Sequence, residues 1–214
     1  MRTYLRDSNS KTIVVFFAGW ALDEKPFEAL ESKGYDLLFV YDYSDLSFEF
    51  DFSKYDKKIL IAFSYGVFIS SLLQEKLPVF DRKIAVNGTL RPIGKEFGIN
   101  EKIFKLTLDS ISPESMQKFY SRMFDNNLDY EYFMEHLPSR NWYQCKEELA
   151  KISECYQNNQ NLGYTFDKAI ISNEDKIFPA KSQINFWQNT EVKNIEAGHF
   201  PFYKFNSVDE IIEL

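Results

Sequence analysis

The chain has 214 residues, of which 44% are hydrophobic and 27% are charged, values close to the averages of globular proteins. This composition excludes a wholly disordered chain, and the length predicts one domain with room for a modest insertion. With 25 Lys and Arg residues against 32 Asp and Glu residues, the net charge is -7, which argues against a nucleic-acid binder because phosphate neutralisation needs a basic surface.

The N-terminal part of the chain alternates predicted strands with a predicted helix. Residues 12–18, TIVVFFA, form a continuous β-branched and aromatic run that Gly19 ends, as expected of a strand buried on both faces. Pro26 and Gly34 bracket a predicted helix, with proline in the first turn and glycine just past the last. Residues 35–43, YDLLFVYDY, are the second predicted strand.

The next segment repeats this pattern. A third strand is predicted over residues 58–63, and it runs directly into a Ser-Tyr-Gly sequence. The apolar spacing of residues 67–77 is helical. A fourth strand is predicted over residues 84–86, where an Asn-Gly turn closes it. Strands that alternate with helices in this way predict an α/β protein with a mostly parallel sheet flanked by helices.

Residues 91–160 interrupt the alternation, because two long stretches of helical periodicity follow one another there without a strand between them. We expect this segment, the helical insertion, to act as a lid on a core made of residues 1–90 and 161–214. After the insertion the sequence predicts two strands and a closing helix, at residues 168–172, 192–196 and 209–214. Ligands of such sheets bind at the carboxyl ends of the strands.

Neither the cysteines nor the N-terminus indicates an extracellular or membrane protein. Cys145 and Cys155 have no CxxC motif and no neighbouring histidine pair, so we expect neither a disulfide nor a zinc site. The first residues, MRTYLRDSNSK, are too polar for a signal peptide, and the apolar run at 13–22 is too short to cross a bilayer. We therefore expect a cytoplasmic protein that does not contact membranes.

The sharpest chemical motif is AFSYG, residues 62–66, at the predicted junction of a strand and a helix. Such a junction is typical of a nucleophile elbow, in which a strained turn presents a serine hydroxyl above the sheet. Ala62 stands where a glycine is common, but alanine is still small enough for the close approach of neighbouring backbone. An isolated serine in this pattern is more often structural, and the strand-to-helix position is what favours a catalytic Ser64.

A catalytic serine needs a general base, and the chain contains two histidines. His199 follows the last predicted strand, where a loop can reach over the sheet, whereas His136 lies within the helical insertion, where packing or exposure is its expected role. Asp175 follows the preceding strand and would orient the imidazole. Glu174 stays open as an alternative acid. The chain order of serine, acid and histidine is that of α/β hydrolases.

Acyl transfer also needs backbone N–H groups that stabilise the oxyanion of the tetrahedral intermediate. The N–H groups of Trp20, after the first strand, and Tyr65, after the serine, are the predicted donors. These features together predict a serine hydrolase that works through an acyl-serine intermediate without a metal or cofactor. The triad does not choose the acyl group, so a thioesterase, a lyase, and a non-catalytic ligand-binding protein of the same fold remain alternatives.

Five stretches of the chain resemble the BioG-type pimeloyl-[acyl-carrier protein] methyl ester esterases, a small α/β-hydrolase family of biotin synthesis. They are FFAGWALD, AFSYGV, VNGTLRPIGKEFGI, NEDKIFP and AGHFPF, of which the third is the most family-specific. The resemblance implies an α/β-hydrolase fold in which Ser64 is the nucleophile, Asp175 the acid and His199 the base. It also implies the substrate, a carrier-bound pimeloyl methyl ester that is cleaved with release of methanol.

That substrate needs an apolar tunnel for the acyl chain and a basic surface for an acidic acyl carrier protein. The helical insertion is rich in aromatic residues and also carries lysines and arginines, although each of these has an ordinary packing or solvated role as its alternative. The substrate-binding candidates are Phe119, Met123, Phe124 and Trp142. The carrier-docking candidates are Lys102, Lys105, Lys118, Arg122 and Arg140.

Overall fold

Seven strands form one sheet in the computed structural model, which describes residues 1–159 and 163–214. The strands are β1 (Arg2–Arg6), β2 (Thr12–Phe17), β3 (Asp36–Tyr41), β4 (Lys57–Phe63), β5 (Arg82–Val86), β6 (Lys168–Ser172) and β7 (Glu191–Ile195). Their order across the sheet is β1-β3-β2-β4-β5-β6-β7. Neighbouring strands are parallel except for β1, which pairs antiparallel with β3 at the edge. This is the mostly parallel sheet that the alternating pattern predicts.

Helices cover both the sheet and its carboxyl edge. They are α1 (Tyr65–Leu72), α2 (Glu101–Asp109), α3 (Pro113–Arg122), α4 (Asn127–Glu135), α5 (Trp142–Asn158), α6 (Ala180–Phe186) and α7 (Val208–Glu213). Short 3₁₀ helices occur at Lys25–Phe27 and Phe202–Lys204. In the part of the chain that the structure describes, no helix is long and apolar enough to cross a membrane.

The centre of the sheet is the centre of the hydrophobic core. Residues 13–17 of β2 and 59–63 of β4 are almost completely buried, and β2 pairs in parallel with residues 57–62 of β4. Their continuous apolar sequence follows from burial on both faces, which removes the alternation of an exposed sheet. The central strands therefore form a rigid base for the loops at their carboxyl ends.

Four separate helices, α2 to α5, lie in the helical insertion, where the sequence predicts two long helical stretches. Side chains that cap a helix N-terminus divide the segment: Asn100, Ser112, Asn126 and Asn141 each accept a hydrogen bond from the first turn of the next helix. Such caps satisfy N–H groups that have no acceptor within the helix itself. The predicted C-terminal boundary of the insertion, Gln160, lies outside the described residues.

The helix predicted between Pro26 and Gly34 is reduced to the 3₁₀ turn Lys25–Phe27. The reason is a long-range backbone pairing, because Glu31 N–H donates to the Asn206 carbonyl and the Glu31 carbonyl accepts from Val208. A residue whose backbone pairs with a distant segment cannot continue a helix. Pro26 and Gly34 are valid local signals for a helix, but the contact with the C-terminal part of the chain overrides them.

Candidate active site

Ser64 lies at the sharp turn between β4 and α1, with φ 56° and ψ -123°. A positive φ at a residue other than glycine costs on the order of 1–3 kcal/mol and persists only where the surroundings impose it. The Ser64 N–H donates to the Val86 carbonyl at 2.9 Å. A Cβ atom at Gly66 would lie 2.5 Å from the Phe17 carbonyl oxygen, and one at Gly88 would collide with the Ser64 carbonyl oxygen. The backbone around the turn is thus packed so closely that Gly66 and Gly88 leave no room for a side chain.

The side chains of Ser64, His199 and Asp175 form a continuous hydrogen-bonded relay. His199 Nε2 is 3.0 Å from Ser64 Oγ, and His199 Nδ1 is 2.8 Å from Asp175 Oδ2. All three side chains are buried. Because a carboxylate only accepts hydrogen bonds, Nδ1 carries the proton and Nε2 is free to accept the serine hydroxyl. This geometry suits general-base activation of Ser64.

Asp175, and not Glu174, is the acid that contacts the imidazole. Asp175 Oδ1 accepts the backbone N–H groups of Ile177 at 2.9 Å and Phe178 at 2.7 Å. Its Oδ2 also accepts from Gln183 Nε2 at 3.2 Å, a contact from α6 that the sequence did not indicate. Glu174 is exposed, and its backbone N–H donates to Ala197. Of the two carboxylates that the sequence left open, Asp175 is the one within hydrogen-bonding distance of His199.

Asn87 connects the ends of β5 and β6 to the histidine loop. Its Nδ2 donates to Ser172 Oγ and to the His199 carbonyl, both at 2.8 Å, while its Oδ1 accepts the Ser172 N–H at 2.8 Å. The residue is fully buried and has φ 47°. Sequence analysis identified a turn within a family-specific stretch here, but not the contacts of the Asn87 side chain. Through its hydrogen bond to the His199 carbonyl, the Asn87 side chain also positions the backbone of the histidine loop.

The residues of the two predicted oxyanion donors, Trp20 and Tyr65, both lie near Ser64. Tyr65 N–H is the first of α1, so it has no acceptor in its own helix and lies at the positive end of the helix dipole. A Cβ atom at Gly19 would lie 3.3 Å from Ser64 Cβ, which shows how closely the loop that carries Trp20 approaches the serine. Both Trp20 and Tyr65 line the same cavity. The structure therefore brings these residues to one corner beside the nucleophile.

That cavity has a volume of about 300 Å³ and extends from Trp20 and Tyr65 to residues of α2 and α3. Its walls are mostly apolar and come from both the insertion and the core: Ile99, Ile103, Phe104, Ile111, Met116, Phe119, Leu149 and Ile177. Three basic residues, Lys118, Arg122 and Lys176, also line it and are called the basic rim below. The cavity can hold an extended apolar chain whose polar end emerges among positive charges.

Of the four predicted substrate-binding residues, the structure places only Phe119 in the cavity wall. Met123 is buried below it, and its carbonyl accepts the Phe200 N–H at 2.9 Å. Phe124 packs against Phe200, with ring centroids 5.6 Å apart. Trp142 is 42% exposed and packs on its neighbour in α5. Met123 and Phe124 are buried and Trp142 is exposed, and none of the three lines this cavity.

The five predicted carrier-docking residues lie in different parts of the structure. Lys118 and Arg122 line the cavity, and Lys176, which sequence analysis missed, joins them. Its position directly after Asp175 is the signal that could have indicated it. Lys102 and Lys105 are exposed on α2, where Lys105 pairs with Asp109 at 2.8 Å.

Arg140 cannot dock a partner, so that expectation is wrong. Its side chain is 1% exposed, with Nη2 3.0 Å from Asp42 and 3.3 Å from Glu148. Burial opposes the charge of the guanidinium, but the carboxylates of Glu148 and Asp42 more than offset it and raise the pKa of Arg140. A buried charge of this kind needs its partners within the protein.

A second groove of about 760 Å³ lies on the other side of α2. Its charges are mixed, from Lys95 and Lys105 against Glu96 and Glu101. The triad residues do not themselves line either cavity. The smaller apolar cavity is lined by Tyr65 and Lys176, the chain neighbours of Ser64 and Asp175, whereas this groove is not.

Comparison with known proteins gives a family and a curated relative. A family model described as pimeloyl-ACP methyl esterase BioG matches residues 1–211. A malonyl-[acyl-carrier protein] O-methyltransferase from Bacteroides fragilis (strain 638R) is 35% identical over 195 residues, which are 89% of this chain and 40% of that protein. The chain thus spans less than half the length of that relative.

Solved structures agree with the family match. The crystal structure of BioG from Haemophilus influenzae superimposes with a TM-score of 0.92 at 29% identity, covering 98% of this chain and 99% of that chain. An esterase from Exiguobacterium antarcticum superimposes with a TM-score of 0.71 at 15% identity, covering 99% and 94% of the two chains. At that identity the likeness concerns the fold alone. The predicted α/β-hydrolase fold is confirmed.

Proposed function

The chain belongs to the BioG family of pimeloyl-ACP methyl esterases, and from this membership we propose that it hydrolyses the methyl ester of pimeloyl-[acyl-carrier protein] in biotin synthesis. The observation that carries the proposal is the buried Ser64–His199–Asp175 relay beside an apolar cavity. Serine hydrolysis of a carboxylic ester is the chemistry that such a relay performs. The cavity favours a linear acyl chain over a bulky one.

In the proposed reaction, Ser64 Oγ forms a bond to the ester carbonyl carbon while its proton passes to His199 Nε2. The carbonyl π electrons move to oxygen, which accepts hydrogen bonds from the Trp20 and Tyr65 N–H groups. When the tetrahedral intermediate collapses, the bond to the methoxy group breaks, and that group takes the proton from His199 and leaves as methanol. Asp175 stabilises the imidazolium that forms in between.

The second half of the reaction returns the enzyme to its starting state. A water molecule gives a proton to His199 Nε2 and attacks the acyl-serine carbonyl. Collapse of this intermediate breaks the bond to Ser64 Oγ, which takes the proton back from His199. The product is a free carboxyl group at the far end of the carrier-bound acyl chain.

The basic rim supports a carrier protein as the partner. With the ester carbonyl at Ser64, the methylene chain would lie along the apolar wall, and the carrier's phosphopantetheine arm would leave past Lys118, Arg122 and Lys176. Positive charges complement both the phosphate of that arm and an acidic carrier surface. The relative from Bacteroides fragilis is named for O-methylation of a carrier-bound acid, which is chemistry that concerns the same kind of group.

The test is hydrolysis of the carrier-bound pimeloyl methyl ester, followed by the intact mass of the carrier. This substrate contains two cleavable bonds, the methyl ester and the thioester to the carrier, so one experiment separates an esterase from a thioesterase. We expect the carrier to lose the mass of one methylene group and to keep its acyl chain.

The control is the Ser64→Ala variant, which should leave the carrier unchanged under the same conditions. Loss of the whole acyl chain would replace the proposal with a thioesterase. Retained activity in the Ser64→Ala variant would remove the serine from the mechanism.

A further inference from the structure

The loop that carries one oxyanion donor, residues 19–21, adopts a backbone that it would not adopt unaided. Ala21 has φ 67°, in the left-handed region that alanine rarely enters. The loop is contacted from the helical insertion at both of its last residues. Trp20 Nε1 donates to the Cys145 carbonyl of α5 at 2.7 Å, and the Ala21 N–H donates to Glu148 Oε2 of the same helix at 3.2 Å.

Glu148 also contacts a second loop. Its other carboxylate oxygen, Oε1, accepts the backbone N–H of Tyr43 at 3.0 Å, in the loop after β3. Glu148 is completely buried, so the loss of either contact would leave a polar group without a partner in the protein interior. The two oxygens of one side chain therefore join the loops that follow β2 and β3.

The charge of Glu148 is balanced within the same cluster. Arg140 Nη2 is 3.3 Å from Glu148 Oε2 and 3.0 Å from Asp42 Oδ1. Asp42 has φ 60°, so a second strained residue is held in this cluster. A buried carboxylate persists only with such a partner and with N–H donors to its oxygens. The cluster is thus built around the backbone of two loops.

We propose that Glu148 is a positioning residue of the active site, which fixes the loop at residues 19–21 so that the Trp20 N–H points at the developing oxyanion. The inference rests on the proposed function only in that it assumes acyl transfer at Ser64. It gives α5 an indirect part in catalysis, because the helix sets the geometry of a donor that it does not itself contribute.

A carboxylate suits this position better than its amide isostere. Both N–H groups that face Glu148, those of Ala21 and Tyr43, are donors, and so is Arg140. A glutamine offers one acceptor oxygen and must direct its NH₂ group at a donor. The Glu148→Gln variant keeps the size of the side chain and should release one of the two loops.

The experiment compares wild type, Glu148→Gln and the matched control Glu147→Gln on p-nitrophenyl butyrate and on its thionoester analogue. Glu147 is the exposed neighbour in the same helix. We expect kcat of the Glu148→Gln variant on the ester to fall by about 10- to 100-fold, with KM changed less than about threefold, since loss of an oxyanion donor acts on the transition state. The control should match wild type.

The thionoester distinguishes positioning from general damage. Sulfur is a weak hydrogen-bond acceptor, so the thionoester gains little from the oxyanion donors, and its kcat should change much less than that of the ester. The ester-to-thionoester ratio of kcat should therefore fall in the Glu148→Gln variant. An equal loss on both substrates, or an unchanged ratio, would overturn the proposal. Simple esters report on Ser64 whatever the natural acyl group, so failure of the methyl ester assignment leaves this test intact.

A measurement on wild type alone covers the case in which the Glu148→Gln variant does not fold. Amide hydrogen exchange should be slow at both Ala21 and Tyr43, because each N–H is bonded to a buried carboxylate. Exchange of the Ala21 amide at the rate of an exposed loop would contradict the proposed contact.

Discussion

Asp175 and Glu174 are adjacent carboxylates with different surroundings, and this difference makes a prediction at the scale of single residues. Asp175 contacts His199 Nδ1 and accepts two backbone N–H groups, whereas Glu174 is exposed. We expect Asp175→Asn to lower kcat by on the order of 10³- to 10⁴-fold, because an amide would favour the wrong imidazole tautomer. Kinetics on a p-nitrophenyl ester measure this loss.

Glu174→Gln is the matched control and should keep kcat within about twofold of wild type, as expected for an exposed side chain away from the reacting atoms. Equal losses in the two variants would show that the acid is shared. Fluorophosphonate labelling of Ser64 provides a second readout, and it should be slow in Asp175→Asn alone.

The residues that sequence analysis found and missed differ in the kind of signal that they carry. Ser64, Asp175 and His199 each follow a predicted strand, so local sequence and chain order were enough to predict that these side chains meet. Asn87 and Glu148 act through contacts with backbone that is distant in the chain, at His199 and Ala21. No local pattern marks a side chain whose partners are main-chain groups of other elements. Arg140 was misassigned for the same reason, because its buried carboxylate partners are not visible in its own segment.

At the scale of elements, the strands were predicted better than the helices. The central strands are continuous apolar runs, and β6 begins and ends at the predicted residues. The edge strand β1 was missed because its residues alternate little and include arginines, which are typical of an edge that must not pair with another chain. The helix expected after Pro26 was lost to the pairing of Glu31 with Asn206 and Val208.

The basic rim makes a prediction at this scale, because α3 contributes two of its residues. Lys118→Glu combined with Arg122→Glu should raise KM for the carrier-bound ester by at least about tenfold, since two attractive charges become repulsive. KM and kcat for a small uncharged ester should stay within about twofold. Steady-state kinetics on both substrates, at low and high salt, measure the effect, and high salt should reduce it.

Lys102→Glu and Lys105→Glu together are the matched control for the rim. They make the same change of charge on α2, but neither residue lines the cavity. A similar rise of KM in this control would place the carrier on α2. If KM for the carrier-bound ester rose in neither double variant, electrostatic docking of the carrier would be ruled out.

At the scale of the whole molecule, the residues of the proposed reaction and a buried stabilising carboxylate lie at opposite edges of the sheet. The residues of the proposed reaction follow the carboxyl ends of β2, β4, β6 and β7. At the opposite edge, Asp36 at the start of β3 accepts the N–H groups of Ser8 and Ser10 at 2.9 and 3.0 Å and the Tyr55 hydroxyl at 2.7 Å. These partners precede β2 and β4, so one buried carboxylate joins the beginnings of three strands.

This arrangement predicts a variant that loses stability and keeps its catalytic activity. Burial opposes the charge of Asp36, but hydrogen bonds from Ser10, Tyr55, Lys54 and Ser8 outweigh it and lower the pKa of the carboxyl group below its ordinary value of 3.8. Asp36→Asn should reduce the free energy of unfolding at neutral pH by about 1–3 kcal/mol, because donors at the buried site lose a charged acceptor. Urea denaturation measures the loss, and kcat under native conditions should stay within about twofold of wild type.

The dependence of this loss on pH follows from the direction of the pKa shift. A carboxylate with a lowered pKa in the folded protein stabilises it fully above the pKa of the unfolded chain and progressively less as the pH falls through the folded value. The difference in unfolding free energy between wild type and Asp36→Asn should therefore be constant from about pH 7 to pH 5 and shrink below about pH 4. A difference that grew towards acid pH would show that Asp36 is not ionised in the folded state. A parallel fall of kcat at neutral pH would show that the two edges of the sheet are coupled.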